Sequence, residues 1–123
     1  VNIGPLREHM PAVSQSQWEV LVSFLNSRRA AQPHEIAIAT GIRSSTALAI
    51  FAHLASMGAT TNYLLLYHGC SEAPFAARQL RDGLPSFPLQ CTLCDEEIVD
   101  DRNIGYDTRT MLTEGVTLEL ERP

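Results

Sequence analysis

The stretch QPHEIAIATGIRSSTALAIFAHLASMG, residues 32–58, decides the reading of the fold. Pro33 suits the first turn of a helix, where its missing N–H would have had no partner. The helix runs through His34-Glu-Ile-Ala-Ile-Ala-Thr40 and stops at Gly41, which can adopt the left-handed cap. Ile42 and Arg43 form a turn. Ser44 or Ser45 is placed to cap the next helix, with Leu48, Ile50, Phe51 and Leu54 as its apolar positions and Gly58 as its end. These spacings predict two short helices joined by a Gly turn.

Working towards the N-terminus, Trp18, Leu21, Val22 and Leu25 share one helical face, with Phe24 at its edge. Ser16 and Glu19 have capping-box spacing, so a helix is expected from about residue 17 to 28. Residues 1–15, with Pro5 and Pro11 and no sustained period, read as an extended lead-in to a single domain over 16–123. Towards the C-terminus the period changes. Thr61–Tyr67 is rich in strand formers, 71–90 reads as a loop or irregular hairpin, and Val116–Leu120 alternates as a half-buried strand should. Between them, 95–112 fits a short helix or a strand equally well.

Three short helices followed by β structure resemble the winged helix-turn-helix superfamily over about residues 16–67, with residues 32–58 as the bihelical unit. The resemblance implies an α+β fold with a winged-helix-like three-helix core. The stretch after His68 is longer than an ordinary wing and carries all three cysteines.

Two of those cysteines form Cys91-x-x-Cys94, a spacing that can present both sulfurs to one ion. Cys70 ends the predicted strand, and a hairpin could return Cys91 beside it. His68 lies two residues before Cys70, on the same face of that strand. A structural zinc held by Cys70, Cys91, Cys94 and His68, in an element spanning about 68–112, is therefore expected. Asp95, His9, His34, His53 or a water compete with His68 for the fourth position. A water there would admit a zinc hydrolase with Glu96 or Glu97 as general base, although no hydrolase or deaminase signature accompanies it. Buried unliganded thiols are the plainer alternative. Thioredoxin-like redox chemistry does not fit, because no strand–CxxC–helix pattern surrounds the pair.

Composition narrows the function classes. With 123 residues, 45% hydrophobic and 19% charged, the chain suits one folded domain and not a disordered one. No apolar run is long enough to cross a bilayer, and residues 1–13 carry Arg7, Glu8 and His9 in place of a signal-like apolar stretch. No membrane association is expected, and a CxxC without a secretory signal points to a reducing, cytoplasmic setting. The initial Val points to processing or an excised fragment.

Net charge is −5, and it is unevenly spread. Residues 27–63 hold three arginines against one acid, whereas 95–123 hold nine acids against three arginines. A DNA-binding regulator would use Arg43, Ser45, Thr46 and His53 on the duplex, with Arg28 and Arg29 on phosphates. That is a thin cationic footprint for an acidic chain. The Ala- and Ser-rich third helix suits contact with another protein chain, or with a second copy, and a non-enzymatic adaptor role is the first expectation.

Overall fold

The computed structural model describes residues 1–120. Its contacts divide the chain into two compact units: residues 1–62 together with the chain from Thr110, and Tyr63–Arg109. The element order is α1 (Gly4–Glu8), α2 (Gln15–Arg28), β1 (Ala30–Ala31), α3 (Pro33–Thr40), α4 (Ser44–Ser56), β2 (Thr60–His68), β3 (Ala76–Gln79), β4 (Leu89–Gln90), β5 (Glu97–Ile98) and β6 (Ile104–Leu112). Short 3₁₀ turns lie at Leu80–Asp82 and Asp101–Asn103. The protein is thus α+β. One sheet has the order β1-β6-β2-β3, and β4 and β5 form a second, two-stranded sheet.

The predicted helices are present, with local shifts. Ser14, not Ser16, caps α2: its hydroxyl accepts from the Gln17 N–H at 3.2 Å, and the Gln17 side chain accepts from the Ser14 N–H at 2.9 Å. Several polar residues precede Trp18, and spacing alone picked the wrong one. Gln32 and Glu35 make the corresponding box before α3, with Pro33 in its first turn and Gly41 at its left-handed end (φ 77°). Arg43 occupies the N-cap of α4 without a side-chain cap bond, so neither Ser44 nor Ser45 serves as the expected cap.

On α4 the buried positions are Ala47, Ile50, Phe51 and Leu54, at offsets of three, four and seven from the first. Leu48, expected in the core, is 41% exposed, because it sits one residue round the helix from Ala47. Trp18, Leu21 and Leu25 of α2 pack with these residues and with Ile36 of α3 in a single apolar cluster.

The extended lead-in is a correction. Residues 4–8 are helical, and Ile3, Leu6 and Val13 are buried in that same cluster, with Met10 packed against it. Their intervals of three, four and three are a helical period that Pro5 and Pro11 mask. Pro5 falls in the first turn, where it is tolerated.

Val116–Leu120 keeps its alternating burial, with Leu118 buried, but it makes only an isolated parallel bridge, Asn2 to Glu119. The Asn26 side chain takes the place of a neighbouring strand. Its amide donates to the Leu118 carbonyl at 2.9 Å, and its carbonyl accepts from the Leu118 N–H at 2.8 Å. The ambiguous 95–112 segment resolves mainly into strand, as β5 and the long β6.

In the second unit β2 and β3 pair antiparallel, from Tyr63 opposite Gln79 to Leu66 opposite Ala76. The expected irregular hairpin is therefore a real strand followed by a loop. Leu89 of β4 pairs with Ile98 of β5. The core of this unit is small: Leu66, Phe75, Cys91 and Ile98 are buried, with Ala76, Phe87, Leu89 and Ile104 packed against them.

Candidate metal centre

Two local structures bring four donors together. His68 closes β2, and Cys70 follows two residues later in the turn beyond it. Cys91 and Cys94 sit in the connection between β4 and β5. There the Cys91 N–H donates to the Glu96 carbonyl at 2.9 Å, and the Asp95 N–H donates to the Cys91 carbonyl at 2.8 Å. Asp95 completes the turn with a left-handed backbone, φ 65°, a conformation Asp tolerates better than most residues with a Cβ. Thr92 ties the turn to the opposite segment by donating its hydroxyl to the Phe75 carbonyl at 2.8 Å.

The ligand atoms of His68, Cys70, Cys91 and Cys94 all lie within 4.8 Å of one another. Tetrahedral zinc, with Zn–S near 2.3 Å and Zn–N near 2.0–2.1 Å, would separate its sulfurs by about 3.8 Å and sulfur from nitrogen by about 3.6 Å. The Cys70 and Cys91 sulfurs are 3.6 Å apart, and the Cys94 sulfur is 3.4 Å from His68 Nδ1. Both distances match edges of that tetrahedron. The three cysteines are free thiols, and 3.6 Å is far beyond a disulfide bond. The donor set and its spacing therefore fit zinc. Cys91 and His68 are buried, while Cys70 and Cys94 are exposed.

The neighbourhood favours ligation. Nδ1 of His68 points at the sulfurs, while Nε2 faces the Glu96 carboxylate at 3.8 Å and the ring meets Phe75 edge-on. A carboxylate on the far nitrogen helps keep Nδ1 free for a metal. Burial pushes the Cys91 thiol up. Backbone N–H groups of Cys94 and Leu93, and hydrogen bonds from the Cys70 and Cys94 thiols, outweigh it and bring Cys91 down to about 7. Desolvation, reinforced by hydrogen bonds and repulsion from the other two sulfurs, pushes Cys70 up to about 12.

At neutral pH the metal-free Cys70 thus keeps its proton, and thiolate ligation must expel it. Zinc loading near pH 7.5 is expected to release about one proton or more per ion, so affinity falls as pH is lowered. Calorimetric titration in buffers of different ionisation enthalpy checks this. A binding enthalpy independent of the buffer would contradict it.

All four expected ligands come together, and the competing donors Asp95, His9, His34 and His53 are outside the cluster. Glu96, considered only as a base, stands beside His68 instead. The sequence alone gave no signal for the Thr92 tether, which depends on a residue 17 positions away. The residues assigned to DNA lie elsewhere, at the end of α2 and along α4. Arg29 is occupied, its guanidinium donating to the Val116 and Thr113 carbonyls at 2.5 and 2.9 Å. Arg28 lies 4.8 Å over the Phe24 ring, and Arg43, Ser45 and His53 are exposed.

The fold and the cluster define an α+β protein with a His-Cys₃ set compatible with a metal ion. Comparison with protein-family models, with curated proteins and with solved structures finds no match to the chain. Among the described residues no single helix is long and apolar enough to cross a membrane.

Proposed function

We propose that the chain is a zinc-stabilised, winged-helix-like module that binds another protein and has no catalytic role. The winged-helix part of this reading is supported by strand order. β1, between α2 and α3, lies next to β6, and β6 lies next to β2, the strand that follows α4. In this reading β2 and β6 form an enlarged wing, and the segment between them carries the metal. Four protein donors would fill a tetrahedral site and leave no position for a reactive water, which favours a structural ion over a hydrolytic one.

The observation that carries the protein-binding reading is the exposed surface of α4. It presents Ser45, Leu48, Ala49, Ala52, His53 and Ser56, with no lysine or arginine among them. Base edges and phosphates are read chiefly by Arg, Lys, Asn and Gln, whereas small and apolar side chains suit close packing against protein. Of the two arginines considered for phosphate, Arg29 already holds two carbonyls.

Fluorescence anisotropy of zinc-loaded protein with random duplex DNA at low salt is expected to show no binding. Binding that weakens steeply with salt and disappears in Arg43→Ala would overturn this reading in favour of a DNA-binding regulator. A photo-crosslinking residue at Ala52 supplies the positive arm in cells. Its adducts are expected to be destroyed by protease and to survive nuclease.

A further inference from the structure

The cluster that fits zinc also sets two of its sulfurs where oxidation joins them. The three cysteines are not equivalent: Cys70 and Cys94 are exposed, and Cys91 is fully buried. An oxidant arriving from solvent therefore meets Cys70 or Cys94 first. What stands beside each differs. The Cys94 sulfur lies 3.4 Å from His68 Nδ1, whereas the Cys70 sulfur lies 3.6 Å from that of Cys91. A disulfide needs a neighbouring thiolate to attack the oxidised sulfur, so Cys70 combines access with a partner.

That pair has room to close. A disulfide holds its sulfurs about 2.05 Å apart, so the 3.6 Å separation must shorten by about 1.5 Å. Cys70 sits in the turn beyond β2, between exposed Gly69 and Ser71, where its side chain is free to rotate. Cys91 is the fixed partner, its N–H bonded to the Glu96 carbonyl and its own carbonyl accepting from the Asp95 N–H. The Thr92 hydroxyl holds the same turn to Phe75. Cys70 and Cys91 lie 21 residues apart in sequence, so their bond would join the end of β2 to the β4–β5 connection, the two segments the ion would join. It would also remove two of the four donors. His68 and Cys94 alone are too few for a structural zinc site.

We propose, on the zinc reading above, that the site is a peroxide-sensitive switch in which a reversible Cys70–Cys91 disulfide replaces the ion. A zinc-held cysteine is a thiolate, the nucleophilic form. The Cys70 thiolate attacks one oxygen of hydrogen peroxide, the O–O bond breaks, hydroxide leaves, and Cys70 becomes a sulfenic acid. The Cys91 thiolate then attacks the Cys70 sulfur and expels a second hydroxide. Each thiolate gives one electron to the peroxide, both hydroxides take protons from solvent to become water, and the ion departs. Cys94 ends as a free thiol.

The zinc-loaded full chain, its metal content measured first, is treated with about a tenfold excess of hydrogen peroxide while a chromogenic chelator reads released zinc. Release is expected together with a Cys70–Cys91 crosslink in non-reducing peptide maps, and with Cys94 still open to alkylation. Dithiothreitol and fresh zinc should restore the starting state. Cys70→His and Cys94→His each keep four donors of a kind zinc accepts. Cys94→His retains the reacting pair and should release zinc within about twofold of the original rate, whereas Cys70→His should be at least about tenfold slower. Zinc that peroxide does not free, a Cys91–Cys94 crosslink, sulfinic acids that dithiothreitol does not reverse, or equal rates in the two variants would overturn the switch and leave the zinc reading standing. A chain that takes up no zinc before peroxide is added overturns both.

Discussion

Removal of the metal is expected to unfold Tyr63–Arg109 while α2, α3 and α4 stay folded. The reason lies in the unequal cores of the two units. The helical unit buries Trp18, Leu21, Leu25, Ile36, Ile50, Phe51, Leu54 and Leu118. The other buries Leu66, Phe75, Ile98 and Cys91, and the last of these is itself one of the four clustered metal donors. Segments of this size seldom hold together on so few apolar side chains without a disulfide or a metal. The chain has no disulfide among its three cysteines. Structural zinc sites supply on the order of 10 kcal/mol of apparent binding free energy at neutral pH, and that energy is folding energy.

Chelation should therefore abolish amide-exchange protection over β3, β4 and β5. Protection in the three long helices should persist, and fluorescence of Trp18, the only tryptophan, should change little. Cys91→Ser should behave as the chelated protein does. It removes a buried ligand and weakens the core at the same point. His68→Ala should lower zinc affinity while leaving the three thiolates to hold metal weakly. Chelation that leaves exchange in 63–109 unchanged would refute a structural role for the ion.

The candidate metal centre was legible in the sequence because its determinants are local. Cys91 and Cys94 lie in one short turn, and His68 and Cys70 are two residues apart, although Cys70 sits in the turn after β2 and not on the strand face that alternation predicted. Helix existence was legible for the same reason, since Trp18-Leu21-Val22-Leu25 and the Pro33–Gly41 punctuation lie within single elements. What escaped depends on distant parts of the chain. The helical lead-in is fixed by the core that Ile3 and Leu6 enter, and its backbone is tied to Glu119. The C-terminal segment fails as a strand because Asn26, 92 residues away, satisfies Leu118. The length of β6 follows from having both β1 and β2 as neighbours. A one-residue error on a helix is also a 100° error, which is how Leu48 was placed inward.

That last error separates two substitutions which look alike in the sequence. Trp18 and Leu48 both fall on expected apolar faces, but Trp18 is 1% exposed and Leu48 41%. Trp18→Ala removes the largest fully buried side chain and leaves a cavity in the close-packed cluster that also holds Leu21, Leu25 and Phe51. The cost is expected at about 3–5 kcal/mol, a large share of the roughly 5–15 kcal/mol that holds a domain folded. Leu48→Ala is expected to cost less than about 1 kcal/mol, since much of its side chain is already in water and alanine favours helix. Urea unfolding followed by circular dichroism should show a much lower midpoint for Trp18→Ala, an almost unchanged midpoint for Leu48→Ala, and similar slopes for both. Equal losses would mean that Leu48 belongs to the core after all, and that α4 presents less free surface to a partner than its exposed residues indicate. Unequal losses would give Leu48 a place on the outside that folding does not require, as a residue on a binding face should have.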